Sequence, residues 1–250
     1  MTKRLTIVLA LALAAGPLGA ADDSKAARGT LDRAIEAMGG RKLLAKKALS
    51  GTSRGSVELL GIKSTVTNEW TVQGLDQLKW VTDAKLSDGN TAAVVLVLNG
   101  DKTWAKANNG EPNPLEREQT RALQQGFGAL RLIESLLPLT GKEWKLSSLG
   151  ELKIDDVAAV GLKVAKKGLP ELDLYFDKAT HLPLRAEMRI TEPGGLDVPY
   201  VAKFAAYKKV EGRQYFTKLT LLREDKVVLE MERGDFQAKD AVDEETFGKP

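Results

Sequence analysis

The stretch Ile62-Lys63-Ser64-Thr65-Val66-Thr67-Asn68-Glu69-Trp70-Thr71-Val72 decides the class of fold. Val66, Trp70 and Val72 fall on one side of an extended chain, whereas Lys63, Glu69 and the three threonines fall on the other. Successive side chains of a β-strand point to opposite faces, so this period of two predicts a half-buried strand. Turn-forming residues such as Asn99-Gly100-Asp101 separate similar stretches elsewhere, which indicates an antiparallel sheet.

In the sequence, strand-like segments both precede and follow one long helical segment. A first strand begins near Gly51, and the other predicted strands are 62–72, 75–83, 91–98, 102–107, 144–149, 157–166, 171–177, 182–191, 198–207, 213–222 and 226–236. The run 92–98 is apolar on both faces, which predicts a strand in the sheet centre that is covered on one side by a helix.

Two helical regions accompany these strands. An apolar stripe at helical spacing, ended by Gly39 and Gly40, predicts the first helix and consists of Ala27, Leu31, Ala34, Ile35 and Met38. A short helical turn is expected at 41–47. The second long helix is predicted to begin at Pro114 and stop at Pro138.

Two glycines inside the second long helix, Gly126 and Gly128, predict a bend or break near Phe127, because each costs about 1 kcal/mol relative to Ala. They fit either a lid hinge or close packing of the helix on the sheet.

We therefore predict a mainly β fold with some α-helix. The expected architecture is a half-open antiparallel β-barrel of about 11–12 strands, with the N-terminal and mid-chain helices covering its concave face. No linker, repeat or low-complexity tract divides the sequence, so residues 22–250 are expected to form a single domain.

Residues 1–21 have the pattern of a signal peptide. Lys3 and Arg4 precede an apolar run over 5–15, and small residues follow, so cleavage is expected after Ala20 or Ala21. The run is too short to span a bilayer, and no later apolar run approaches that length. We expect export to the periplasm, a soluble mature chain without a transmembrane segment, and no lipid anchor, because the chain has no Cys.

Charge and composition exclude several classes of function. The formal charge of +3 falls to +1 without Lys3 and Arg4, and so near-neutral a chain is not expected to bind nucleic acid. With no Cys and one His, neither a thiolate metal site nor a cofactor is predicted. The single imidazole, His181, follows Asp177 in a turn without any recognisable nucleophile motif, so we expect no enzyme activity.

Two weaker charged patterns also have simple explanations. Asp83, Asp88 and Asn90 have the wrong spacing for a calcium loop, and a hairpin turn is favoured. The lysine pairs at 46–47, 166–167 and 208–209 offer charge for anionic lipid headgroups, but scattered pairs favour a solvated surface.

The apolar residues of the concave face are the candidate site. They either fill the core or line a hydrophobic ligand cavity, and the pattern alone favours a filled core. The candidate cavity residues are Val66, Trp70, Trp80, Val95, Val97, Leu123, Phe127, Leu130, Leu184, Met188, Phe204 and Leu219.

Four stretches carry a resemblance to a known family. They are Ala34 to Leu43 (AIEAMGGRKL), Tyr175 to Arg185 (YFDKATHLPLR), Phe204 to Phe216 (FAAYKKVEGRQYF) and Asp243 to Pro250 (DEETFGKP). Together they make the chain resemble the outer-membrane lipoprotein-sorting superfamily, the LolA/LolB-like proteins.

The resemblance implies a half-barrel closed by helices over an apolar cavity that holds acyl chains of lipids or lipoproteins. It implies a carrier that binds and transports such chains during outer-membrane biogenesis. The alternative is an envelope scaffold or stress sensor that binds an envelope or outer-membrane protein and no lipid. Carriers that resemble this chain gate the cavity through an Arg that contacts the lid helices. Arg54 on an early strand is a candidate counterpart, but we do not assign that role to it.

Overall fold

A computed structural model describes residues 18–59 and 62–250, and the first 17 residues of the predicted signal peptide lie outside this range. Strands form most of the described chain. The strands are β1 (Ala48–Leu59), β2 (Ile62–Gln73), β3 (Gln77–Leu86), β4 (Thr91–Asn99), β5 (Lys102–Ala107), β6 (Asn113–Pro114), β7 (Lys145–Ile154), β8 (Val157–Ala165), β9 (Leu172–Asp177), β10 (Pro183–Thr191), β11 (Asp197–Val210), β12 (Arg213–Arg223) and β13 (Lys226–Lys239).

Three α-helices accompany the sheet: α1 (Leu18–Ala37), α2 (Gly40–Leu44) and α3 (Arg117–Ser135). The predicted apolar stripe of α1 is fully buried, from Ala27 to Met38. Gly39, with φ of 125°, turns the chain between α1 and α2, and a Cβ there would lie 3.0 Å from the Arg213 Cα. Short 3-10 helices follow at Leu137–Thr140 and Glu244–Phe247.

All 13 described strands form one antiparallel sheet in the order β6-β5-β4-β3-β2-β1-β13-β12-β11-β10-β9-β8-β7. Two meanders therefore meet at the β1–β13 pair, and α3 connects β6 at one edge to β7 at the other. Within the described chain these edges are not paired with each other, so the predicted half-open architecture is confirmed. The two-residue β6 accounts for the thirteenth strand.

Two groups of buried side chains lie on the concave side. The larger lies between α1, the end of α3 and strands β7 to β13, and includes Phe176, Phe204 and Phe216. The smaller lies beneath the middle of α3 and contains Trp70 and Phe127. The helices therefore close the concave face of the sheet, as expected for amphipathic helices on a curved sheet.

Helix α3 differs from its prediction at both ends and in its middle. It begins at Arg117 with a capping box between Glu116 and Gln119, and Pro114 instead pairs with Trp104 in the sheet. It ends at Ser135, because Leu136 adopts a left-handed conformation with φ of 55°.

The predicted break at Phe127 is absent, since α3 is one continuous helix from Arg117 to Ser135. A Cβ at Gly126 would come within 3.2 Å of the Ile190 Cδ1 atom on β10. Close packing of α3 on β10 therefore explains why residue 126 is glycine. The packing offsets the low helix propensity of glycine.

Candidate functional site

A small cavity of about 30 Å³ lies between α3 and the concave face of the sheet. Its walls are mainly apolar, with charged groups at one side. The lining residues are Ser53, Trp70, Val72, Leu78, Trp80, Phe127, Leu130, Glu134, Leu219, Leu229, Met231 and Arg233. Pockets for small molecules usually measure ~300 Å³ or more, so in this conformation the side chains nearly fill the space.

The structure places some of the predicted cavity residues at the cavity, some in the adjoining core and some outside both. Those that line the cavity are Trp70, Trp80, Phe127, Leu130 and Leu219. Those that lie in the adjoining main core or pack against it are Val66, Met188 and Phe204. Leu123 is partly exposed one helical turn before Phe127 and does not line the cavity.

Val95 and Val97 do not face the cavity. In the same strand Leu96 lies opposite Trp80 and packs with the cluster around Phe127. Because alternate side chains of a strand point to opposite faces, Val95 and Val97 point away from α3. Residues 92–98 are apolar on both faces, so the sequence did not indicate which face of this strand points toward the cavity.

Leu184, which was predicted to line the cavity, also lies elsewhere. It packs with Ile154, Ala159 and Tyr175 on the opposite face of the sheet. A β-bulge between Pro183 and Arg185 inserts one extra residue into β10 and interrupts the alternation there.

A buried ionic cluster borders the cavity and connects α3 to the sheet. The Glu134 carboxylate accepts hydrogen bonds from Arg131 Nη1 and from Arg233 Nη2, each at 2.5 Å. Arg131 is one turn earlier in α3, whereas Arg233 is on β13. Arg213 Nη2 donates to the Glu134 main-chain oxygen at 2.9 Å, so three guanidinium groups surround one glutamate.

The electrostatics keep this glutamate ionised. Burial would raise the pKa of the Glu134 carboxyl, but the guanidinium charges of Arg233 and Arg131 and their hydrogen bonds hold it below its ordinary value. Burial lowers the pKa of Arg213. Burial also raises the pKa of the Tyr207 hydroxyl, which donates to the Pro183 carbonyl at 2.7 Å and stays neutral.

Arg233 also contacts aromatic rings at the cavity wall. Its guanidinium carbon lies 4.7 Å from the Trp70 ring centroid and 4.4 Å from that of Phe216. Cations are attracted to such ring faces, which offsets part of the cost of burying the charge. The guanidinium is therefore fixed in place by β12, β2 and α3 together.

Arg54, the candidate counterpart of the family's gating arginine, is on the wrong surface for that role. It is exposed and pairs with Glu232 at 3.0 Å, across the β1–β13 seam. The arginine that contacts α3 from β13 is Arg233, which was not among the predicted site residues. The sequence does contain a sign of this residue. Leu229, Met231 and Arg233 occupy alternate, inward-facing positions of β13, and Arg233 is the charged one.

The other chemical candidates are structural. Asp177 Oδ1 accepts hydrogen bonds from the Ala179 and Thr180 amides, so it closes the turn and does not orient His181. Asp88 and Asn90 form the predicted hairpin turn through a 2.9 Å hydrogen bond. Among the described residues, no group of three His, Asp or Glu side chains is arranged to hold a metal ion. In the same residues no helix combines the length and apolarity needed to cross a membrane.

A curved, open antiparallel sheet whose concave face is covered by helices is the LolA-like fold, and the resemblance in the sequence is confirmed at that level. A LolA superfamily protein from Nitrosomonas europaea matches 89% of this chain and 97% of its own, with 12% identity and a TM-score of 0.53. A putative outer-membrane lipoprotein-sorting protein domain from Vibrio parahaemolyticus matches with the same coverages, 16% identity and a TM-score of 0.55.

A third solved structure, a DUF1329 family protein from Desulfovibrio piger, covers 88% of this chain and 96% of its own, with 12% identity and a TM-score of 0.55. At these identities the likeness concerns the fold alone. No protein-family model matches the sequence, and no curated protein matches it.

Proposed function

We propose that this protein is a periplasmic carrier that holds acyl chains of lipids or lipoproteins under α3, and that the structure is its closed form. The observation that carries the proposal is the apolar cavity between α3 and the sheet, with Trp70, Trp80 and Phe127 in its walls. Each CH₂ group buried there would contribute about 0.8 kcal/mol, so no catalytic residue is needed for useful affinity.

The cavity of about 30 Å³ is close to the volume of a single water molecule, so an acyl chain needs α3 to move outward. The contact between Glu134 and Arg233 lies at the point where α3 meets β13. In the proposed mechanism this contact holds the lid closed, and ligand entry separates α3 from the strands beneath it.

The small cavity also supports a second function. An envelope scaffold or sensor that binds a protein partner needs no ligand space, and a nearly filled core is what that function predicts. The two functions differ in whether α3 opens to admit a chain.

A disulfide between α3 and β10 separates these functions directly. The chain has no Cys, so Gly126→Cys with Ile190→Cys would introduce a single pair, on two elements that pack where a Cβ on residue 126 would lie 3.2 Å from the Ile190 Cδ1 atom. Mass measurement before the uptake assay would verify that the disulfide has formed. If α3 is the lid, the oxidised variant takes up no fluorescent fatty acid and the reduced variant does. Equal uptake in both forms would show that α3 is not the lid.

Two substitutions on α3 test the cavity itself. Phe127→Glu places a charge in the apolar wall and should lower fatty-acid affinity at least tenfold. Leu123→Glu, on the same helix but outside the cavity, is the matched control and should bind as the unmodified protein does. Circular dichroism would verify that both variants fold.

We place the proposed function in the periplasm because residues 1–21 have the signal-peptide pattern, and we assign it to residues 22–250 as one domain. Native mass spectrometry of the chain purified without detergent, followed by organic extraction, would test both functions. A lipid adduct supports the carrier. Bare protein that also takes up no fatty acid supports the scaffold or sensor.

A further inference from the structure

Four exposed apolar side chains lie at one end of the sheet, each at the tip of a hairpin. Ile62 is the first residue of β2, Leu169 is in the β8–β9 turn, Leu196 is in the β10–β11 turn, and Val227 follows the β12–β13 turn. They are 46–68% exposed. We call these four residues the hairpin rim.

The topology places the hairpin rim in one continuous row. All neighbouring strands are antiparallel, so alternate turns of each meander lie at the same end of the sheet. The β1–β13 pair is antiparallel too, which brings the turns of both meanders to a common end. Neighbouring strands lie ~4.8 Å apart, so the four adjacent hairpins form a row of about 30 Å.

The turns at the opposite end of the strands have a different composition. Their exposed residues are mainly charged and include Asp76, Asp101, Asp155, Lys178 and Glu211. The other large apolar residues that are exposed in the described chain, Leu149, Leu152 and Val157, lie along the β7–β8 edge instead. The hairpin rim is therefore a separate feature of one end of the molecule.

Lysines accompany three of the four tips. Lys63 adjoins Ile62, Lys226 adjoins Val227, and Lys167 precedes Leu169 by two residues. Among the ion pairs of the described residues these three lysines have none, although Glu58 is the register partner of Lys63 and Asp225 precedes Lys226. Three other carboxylates in these turns or at their ends pair with other residues: Glu192 and Glu224 bind Arg223, and Glu171 binds Lys163.

We propose that the hairpin rim docks on an anionic lipid bilayer, with the four apolar tips inserted among the headgroups and Lys63, Lys167 and Lys226 facing the lipid phosphates. Apolar side chains projecting from separate tips have no shared groove for a protein segment, but they can each enter a bilayer interface. Basic residues near an anionic membrane surface add to such binding. The Glu118 carboxylate on α3 accepts from the Gly194 amide at 3.0 Å, so the start of the proposed lid lies beside this rim.

The test is co-flotation of the chain lacking residues 1–21 with vesicles of phosphatidylethanolamine and phosphatidylglycerol, compared with phosphatidylcholine alone. We expect binding to the anionic vesicles, and at least a tenfold loss when Ile62, Leu169, Leu196 and Val227 are all changed to Ser. A triple Lys→Gln variant at 63, 167 and 226 should lose the preference for anionic lipid.

The control changes Leu149, Leu152 and Val157 to Ser, which removes exposed apolar side chains at the β7–β8 edge, each 36–37% exposed. Absence of binding by the unmodified protein, or equal losses in the rim and control variants, would overturn the proposal. The assay needs no ligand in the cavity, so its result is independent of whether the protein carries acyl chains.

Discussion

The Glu134 carboxylate on α3 lies 2.5 Å from the Arg233 guanidinium on β13, although 99 residues separate them in the sequence. Both side chains are buried, with exposures of 5% and 8%. The contact therefore ties the helix that covers the cavity to the central strands of the sheet. An ion pair in such surroundings depends on both partners, because a single buried charge is costly.

Replacing Glu134 with Gln should destabilise the protein by about 3–5 kcal/mol, since it leaves the guanidinium groups of Arg131 and Arg233 buried without their carboxylate. Urea unfolding at neutral pH would measure the change. The control is Glu232→Gln, which removes the partner of Arg54 on the exposed surface and should cost less than about 1 kcal/mol. Similar losses in the two variants would contradict the structural role given to Glu134.

The stability contributed by Glu192 should be lost at acid pH. Hydrogen bonds from Arg223 lower the pKa of its carboxyl from 4.5 to about 2, and the Tyr200 hydroxyl donates to it as well. Because the folded-state pKa is depressed, this stabilisation is present above pH 4.5 and is lost as the pH falls toward about 2. The difference in unfolding free energy between the unmodified protein and Glu192→Gln should shrink over that window. A pH-independent difference would contradict the assignment.

Gly55 should be intolerant of any side chain. A Cβ there would lie 1.8 Å from the Glu230 carbonyl oxygen, so the backbones of β1 and β13 would have to separate. We expect Gly55→Ala to cost at least ~3 kcal/mol or to prevent folding. Ser56→Ala, next to it on the same strand, should stay within about 0.5 kcal/mol in the same urea titration.

Gly128 should respond in the opposite direction. A Cβ there would meet only the Leu75 carbonyl oxygen at an ordinary 3.6 Å, so Gly128→Ala should stabilise α3 by about 0.5–1 kcal/mol. Thermal or urea unfolding would measure the gain. If fatty-acid uptake also falls sharply in this variant, Gly128 serves as a hinge for α3. If uptake is unchanged, Gly128 only lowers the stability of the helix.

Local patterns predicted the elements of this fold well, because alternation and helical stripes act over short distances. The strand around Trp70 and the buried stripe of α1 are examples, and both are present as predicted. The cavity residues were harder to predict, since they depend on which face of each strand points inward. Val97 sits in a run that is apolar on both faces, and Leu184 follows the alternation in sequence but sits at a bulge in the structure.

The contact between Glu134 and Arg233 lay beyond sequence reasoning for a different reason. Nothing in either local sequence specifies that β1 pairs with β13, and this pairing is what brings the two meanders and α3 together. A charge at an inward strand position could have marked Arg233 as unusual. Its partner could not have been named without the order of the strands.

The β1–β13 pair also limits the order in which the sheet can be completed during folding. Its first strand ends at Leu59 and its last begins at Lys226, so the centre of the sheet is built from the two extremes of the strand sequence. Each meander forms from neighbouring hairpins, but the two meanders can join only when the final strand is available for pairing. Until then one edge of β1 is unpaired, and a chain truncated before β13 would offer that edge to other polypeptides.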